Sequence, residues 1–250
     1  MEKPSLLRRR LLFASLSLLA AFAVAGGAWA DTAAGLSGVA ETGVKLLLIL
    51  ALCALLLTQK APSAPRSRSV PARLALWGLL PPAVVLASQL GPLGCAPAAS
   101  EVGGLLLGVL TTALWEELFF RALGQKLFLR DDGRYRPSDV LFLTLAFALP
   151  HAVNYLIHPA FWQLVWAACA GLFFLALYRR TGSLTLVVLS HALTNALSQT
   201  IALCTAGESH PYLGAAADAV SILGMAALAA AGLGMLFRGN LLAFRKEAAA

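Results

Sequence analysis

The chain has 250 residues, of which 59% are hydrophobic and only 12% are charged. A soluble domain carries roughly 25% charged residues. With a mean hydropathy of +0.78, the composition excludes a disordered protein, a nucleic-acid-binding domain and almost any water-soluble enzyme. The net charge of +7 therefore indicates basic residues next to a lipid bilayer with anionic headgroups, and no nucleic-acid partner is expected.

Apolar stretches along the chain predict an all-α bundle of about eight transmembrane spans. Most are close to the 20 residues that a helix needs to cross a hydrocarbon core of about 30 Å. They lack the period-two alternation of a transmembrane barrel. The third contains Pro81-Pro82, which predicts a bent or tilted helix. The stretches are 11–30, 44–58, 74–90, 102–129, 139–157, 161–178, 183–204 and 215–237.

The lysines and arginines predict the orientation of this bundle. All of them except Lys45 and Arg121 lie at alternate ends of the stretches, as the positive-inside rule requires of cytoplasmic loops. Both termini are therefore predicted to be cytoplasmic, in a multi-pass protein that we expect in a bacterial inner membrane. The Pro/Ser/Arg-rich segment 59–73 is predicted to be a flexible cytoplasmic linker.

Two features leave alternatives open. Residues 1–30 contain a basic run, an apolar run and a small-x-small triplet, so they resemble a cleaved signal peptide, although the apolar run is long for one and a retained span is favoured. The four cysteines have no C-x-x-C spacing, which argues against a zinc-thiolate site. Cys95 and Cys204 are both predicted near the outer face and could pair, but free thiols are favoured.

The fourth stretch carries three ionisable residues near its middle: Glu116, Glu117 and Arg121. Together they cost roughly 8–10 kcal/mol to insert, whereas the apolar residues of the same stretch return about 6 kcal/mol. Such groups are expected to face other helices or a water-filled cavity. Glu117 and Arg121 are four residues apart and can form an ion pair. Glu116 is rotated by about 100° and can serve a chemical role.

The fifth and seventh stretches add two histidines and an amide. His151 follows Pro150, which removes a backbone donor and bends the helix. His191 and Asn195 are four residues apart and share a helix face. At 1.5 Å per residue, these side chains and Glu116 fall in the middle part of the bilayer. We therefore expect them to meet around one water-filled pocket.

Three motifs in these spans resemble those of the CPBP family of intramembrane proteases, which includes the type II CAAX prenyl endopeptidases and the bacterial Abi relatives. Their order and separations match, and the resemblance covers roughly residues 100–200. The E-E-x-x-x-R, F-x-x-x-H and H-x-x-x-N motifs correspond to Glu116-Glu117-Leu-Phe-Phe-Arg121, Phe147-Ala-Leu-Pro-His151 and His191-Ala-Leu-Thr-Asn195.

The resemblance implies a CAAX-protease-like endopeptidase that hydrolyses a peptide bond in a membrane-associated peptide or protein tail. By motif position, Glu116 and His151 activate a water, and His191 and Asn195 stabilise the oxyanion. The supporting residues are Glu117, Arg121 and Phe147. The chain then divides into residues 1–100, with three helices and the linker, a catalytic core at 101–205, and a last helix with a basic tail at 206–250.

Two alternatives concern the chemistry. Glu116, His151 and His191 could bind a zinc ion and leave one position open for water, but the H-E-x-x-H spacing is absent, and a metal-independent glutamate protease is favoured. A non-enzymatic protein, either a proton-linked transporter or a scaffold or immunity protein, could also carry intramembrane charges. The duplicated halves typical of many transporters are not evident.

Overall fold

The computed structural model describes residues 5–35, 38–58, 70–88, 99–129, 135–155, 161–205 and 211–237. Regular structure in these ranges is entirely helical, which confirms the predicted fold class. Three further segments have tighter or wider turns: 3-10 helices at Leu76–Leu79 and Leu149–His151, and a π-helix at Leu118–Leu123. The α-helices are α1 Leu6–Ala34, α2 Val39–Thr58, α3 Ala72–Ala75, α4 Leu80–Ser88, α5 Ala99–Glu117, α6 Gly124–Phe128, α7 Pro137–Ala148, α8 Ala152–Tyr155, α9 Phe161–Thr181, α10 Leu184–Thr205 and α11 Pro211–Phe237.

Within the described residues, six helices are long and apolar enough to cross a membrane. They correspond to six of the predicted spans. The third predicted span is the shorter apolar helix Ala72–Ser88, and the fifth consists of α7, a 3-10 turn and α8. The six are Leu6–Ala34, Val39–Thr58, Val102–Phe128, Phe161–Thr181, Leu184–Cys204 and Ala216–Phe237.

Several sequence predictions concern residues that lie partly or wholly outside the described ranges. The predicted linker 59–73 lies outside them up to residue 69, and its last two residues are helical because α3 begins directly after Pro71, a residue suited to a helix start. Cys95 and the basic tail also lie outside the described residues. The cytoplasmic termini, the retention of residues 1–30 as a span and the division into three parts stay predictions.

The helix Ala72–Ser88 is interrupted where the two prolines predicted a bend. A 3-10 turn separates α3 from α4 and ends just before Pro81-Pro82. Pro82 has no N–H to offer the carbonyl of Gly78, four residues earlier. The hydroxyl of Ser190 on α10 donates to that carbonyl at 2.5 Å. The freed backbone group is therefore satisfied by the residue that precedes His191.

A second break follows α7 at Pro150, where the chain forms the 3-10 turn Leu149–His151. The ring Nδ1 of His151 lies 3.0 Å from the carbonyl oxygen of Phe147. A carbonyl oxygen only accepts, so Nδ1 carries the proton of this hydrogen bond. The break thereby sets the orientation of the imidazole as well as the direction of the chain.

The Leu118–Leu123 segment is π-helical and follows Glu117 directly. The N–H of Gly124 donates to the carbonyl of Phe119, five residues earlier. In an α-helix the acceptor is the carbonyl four residues earlier. Single π turns within α-helices are frequent at functional sites. Here the wide turn carries Arg121, which is almost completely buried.

The N-terminal helices pack against this region through an aromatic cluster and a helix cap. Phe13 on α1 is 1% exposed and contacts the rings of Phe119, Phe120, Phe128 and Phe142. At the other end of α1, the buried carboxylate of Asp31 accepts hydrogen bonds from the N–H groups of residues 40 and 41 at 2.8 and 2.9 Å. These bonds cap the start of α2.

Replacing Phe13 by Ala should destabilise the protein by about 3–5 kcal/mol, because the substitution leaves a cavity among four aromatic rings. The measurement is reversible unfolding in mixed detergent micelles. Phe22→Ala on the same helix is the matched control, since Phe22 is 54% exposed and its loss should change stability by about 0.5 kcal/mol or less. Equal effects of the two substitutions would contradict this packing.

Candidate active site

The centre of the polar region is the carboxylate of Glu117, which is 0% exposed. Its Oε1 accepts a hydrogen bond from Nδ1 of His191 at 2.8 Å. Its Oε2 lies 3.0 Å from Nε of Arg121, although the two atoms are not aligned as a hydrogen bond and meet mainly as opposite charges. The ion pair predicted from the four-residue spacing is therefore present, and it also holds a histidine of α10.

Arg121 is surrounded by groups that compensate for its burial. It is 1% exposed, and its Nη2 donates to the carbonyl of Gly171 on α9 at 3.2 Å. Its guanidinium carbon lies 4.1 Å from the ring centroid of Phe147 and 5.5 Å from that of Phe174, within cation–π range. Arg121 therefore connects the π segment to α7 and α9.

Glu116 occupies a different environment from its neighbour. It is 7% exposed and lines a cavity between the helices. Its Oε2 lies 3.8 Å from Nε2 of His191, which is too far for a direct hydrogen bond. The two adjacent carboxylates therefore face opposite ring nitrogens of His191, and of the two only Glu117 also pairs with Arg121.

Aromatic rings fix both histidines. His191 stacks on Phe174 with ring centroids 5.2 Å apart and planes at 25°. Phe147 contacts the rings of both His151 and His191, at centroid distances of 5.3 and 6.1 Å. Phe147 thus packs against both imidazoles and, on its face, against Arg121. The supporting role of Phe147 stays a prediction.

The cavity has a volume of about 1000 Å³ and is bounded by residues of α1, α2, α5, α9, α10 and the region around the Pro150 break. It brings together the side chains predicted to be catalytic, while Glu117 and Arg121 lie buried behind its wall. The predicted residues that line it are Glu116, Phe147, His151, His191 and Asn195. Asn195 is half-buried and lies one helical turn beyond His191.

Other polar residues of the cavity were not predicted. Glu41 and Lys45 reach it from α2, and Ser198 and Gln199 from α10. The two residues of α10 follow Asn195 by three and four positions, so the helical repeat could have placed them on the same face. Lys45 could have been found in another way, because it is one of the two basic residues that depart from the alternating charge pattern.

The donor groups do not fit the alternative zinc site. Among the described residues, no three His, Cys, Asp or Glu side chains are placed to hold one metal ion. In the alternative set of Glu116, His151 and His191, the histidine of α10 binds Glu117 through Nδ1, so only its Nε2 could face a metal ion.

Residues 98–197 match the family model described as type II CAAX prenyl endopeptidase Rce1-like. The match covers 100 of the 250 residues and is consistent with the CPBP family, which confirms the resemblance seen in the motifs. No curated protein and no solved structure matches the chain. The Rce1-like segment extends from α5 into α10 and contains every residue predicted for the site, whereas α1, α2 and α11 lie outside it.

Removing either charge of the Glu117–Arg121 pair should be strongly destabilising, because the other charge stays buried without its partner. We expect Arg121→Met and Glu117→Gln each to lower the free energy of unfolding by about 3–5 kcal/mol. The double variant should lose less than their sum, with a coupling energy of about 1–3 kcal/mol.

Unfolding in mixed micelles measures all three variants. Arg8→Met is the control, because Arg8 is exposed and removal of its charge should shift stability by about 0.5 kcal/mol or less. Strict additivity of the two single substitutions would show that the buried charges act independently.

Proposed function

We propose that the protein is a CAAX-type intramembrane endopeptidase that cleaves a membrane-associated peptide or protein tail. The Rce1-like match and the six apolar helices support a membrane protease of this family. The observation that carries the proposal is the convergence of Glu116, His151, His191 and Asn195 on one cavity within the helix bundle. We place the protein in a bacterial inner membrane, with the basic residues at the cytoplasmic ends of its spans.

Activation of a water is assigned to Glu116 and His151. The Nδ1–H of His151 is used by the Phe147 carbonyl, so in the neutral ring Nε2 carries the lone pair that can accept a proton or orient a water. Glu116 takes the proton of the water as it attacks the peptide carbonyl. The same proton then passes to the leaving amine, which restores the carboxylate.

Stabilisation of the tetrahedral oxyanion is assigned to Asn195 and His191. The amide of Asn195 is a neutral donor. His191 already gives its Nδ1–H to Glu117, so its Nε2 can donate to an oxyanion only when the ring carries both protons. The carboxylates of Glu116 and Glu117 lie on either side of this ring. Glu117 and Arg121 are accordingly positioning residues.

The cavity supports a short peptide as the substrate. Its volume of about 1000 Å³ is at the upper end of the range for sites that enclose a drug-sized ligand, roughly 300–1000 Å³. A few residues of extended chain fit such a space, whereas a folded domain does not. The family description supports a tail next to a prenylated cysteine, and an unprenylated membrane-anchored peptide is the second form that the assay should include.

Substitution of the proposed base and of the oxyanion donor should separate catalysis from folding. We expect Glu116→Gln to lower kcat by about 10²–10⁴, because general base catalysis contributes that much. Asn195→Ala should lower kcat by about 10²–10³. Cleavage of fluorogenic prenylated and unprenylated peptides in proteoliposomes measures both effects.

Thr111→Ala provides the control on the same helix. The buried hydroxyl of Thr111 bonds to carbonyls of its own helix, and its loss should leave kcat within about twofold. Full turnover by Glu116→Gln would overturn the hydrolase proposal. It would favour the non-enzymatic alternative, in which the site charges only connect helices.

Metal independence gives a separate test of the water-activation step. We expect the purified protein to retain full activity after prolonged treatment with a strong chelator, and elemental analysis to find no stoichiometric zinc. Loss of activity that returns on addition of Zn²⁺, but not of Mg²⁺, would instead establish a metal-activated water. Thermal unfolding measured in parallel distinguishes a catalytic from a structural effect of the chelator.

A further inference from the structure

A second ion pair lines the same cavity. Glu41 and Lys45 lie one turn apart on α2 and form an ion pair through Oε1 and Nζ. Both line the cavity together with Glu116 and His191. Lys45 is only 5% exposed, and α2 lies outside the Rce1-like segment. The proposed hydrolysis makes no use of this pair.

The position of Lys45 is costly for a purely structural residue. Lysine has one of the highest free energies of insertion into a membrane span. An ion pair between residues i and i+4 offsets only a small part of that free energy. From residue 46 to residue 57 the helix is entirely apolar, so an apolar residue at position 45 would let α2 insert more readily. A charge kept in the wall of an intramembrane cavity is therefore a candidate functional group.

The remaining charges of the cavity define what Lys45 can bind. Among the described residues that line the cavity, Lys45 is the one lysine or arginine, while Glu116 and Glu41 are acidic. A substrate anion is repelled by those carboxylates. His191, which is positive only when doubly protonated, lies between Glu116 and Glu117, so the favourable contact left for the anion is the Lys45 ammonium. That ammonium has three donors, of which the ion pair with Glu41 accounts for one. The others can donate to the oxygens of a second carboxylate that enters the cavity.

We propose that Lys45 binds the C-terminal carboxylate of the peptide substrate and that Glu41 holds the ammonium in place until the peptide enters. This inference rests on the proposed function and deepens it. The terminal carboxylate is an anion that every unmodified peptide tail carries, whatever its sequence. Its capture on the α2 wall fixes the direction of the peptide, so that the bond presented to Glu116 lies a short, constant distance from the chain end.

The test measures binding in the Glu116→Gln background, where cleavage does not interfere. The probes are a fluorescent prenylated peptide with a free C-terminal carboxylate and the same peptide with a C-terminal carboxamide. Nanodiscs of phosphatidylcholine alone are used, so that anionic lipid headgroups do not compete for the ammonium. We expect the acid to bind about 10- to 100-fold more tightly than the amide, as for a charge-assisted hydrogen bond.

Three further substitutions in that background distinguish recognition from packing. Lys45→Met should reduce the acid-to-amide ratio to about one, and Lys45→Arg should restore most of it because the charge and donors return. Glu41→Gln should tighten binding of the acid, since it removes the competing carboxylate. If the ion pair only held the helix in place, Glu41→Gln and Lys45→Met would both weaken binding of the acid peptide.

Lys126→Met is the matched control, because the ammonium of Lys126 bonds to the carbonyl of Leu56 and the residue does not line the cavity. It should leave the ratio unchanged. Three outcomes would overturn the inference. The acid and the amide could bind equally to the protein with Lys45 intact, neither peptide could bind, or the acid-to-amide ratio of affinities could stay unchanged in Lys45→Met.

Failure of the proposed function gives a different result. Binding of the acid that depends on Lys45, without any cleavage by the wild-type protein, supports the carboxylate site and overturns the hydrolase. Cleavage that depends on Glu116 with equal use of acid and amide supports the hydrolase and overturns the carboxylate site.

Discussion

The polar site depends on one carboxylate that is closed to solvent. Glu117, at the end of α5, meets Arg121 from the π segment and His191 from α10. A buried carboxylate without compensation costs several kcal/mol, so these three elements are stable together and unfavourable apart. The same contacts that make the bundle stable also hold His191 beside Glu116. Assembly of the site is therefore coupled to folding of the bundle around it.

Irregular helices supply the second constraint. A regular membrane helix satisfies its own backbone and presents side chains at fixed angles, whereas a proline frees a carbonyl that must find a donor nearby. One such carbonyl, at Gly78, receives the hydroxyl of Ser190, and beside the break at Pro150 the ring of His151 binds the Phe147 carbonyl. In both places the donor is a residue of the polar site or its direct neighbour. The helix breaks therefore help to orient the proposed catalytic groups.

Properties that follow from helical geometry could be predicted from the sequence. Length and hydropathy predicted the six long apolar helices of the described residues. The spacing of four residues predicted the pairing of Glu117 with Arg121 and the shared face of His191 and Asn195. The π turn around Arg121 could not be predicted, because no local pattern marks it. The stacking of Phe174 on His191 depends on how α9 packs against α10. Such contacts between distant segments cannot be predicted from the spacing of residues within one helix.

The cavity also shows how one fold can separate chemistry from selection. Every group assigned to bond cleavage lies in the Rce1-like segment, whereas Glu41 and Lys45 belong to a helix outside it. A peptide in a cavity of about 1000 Å³ must contact both walls. Changes in α1 or α2 can therefore alter which peptide enters without disturbing the buried Glu117 contacts. The wall that lies outside the family match is thus where substrate preference can vary at the lowest cost in stability.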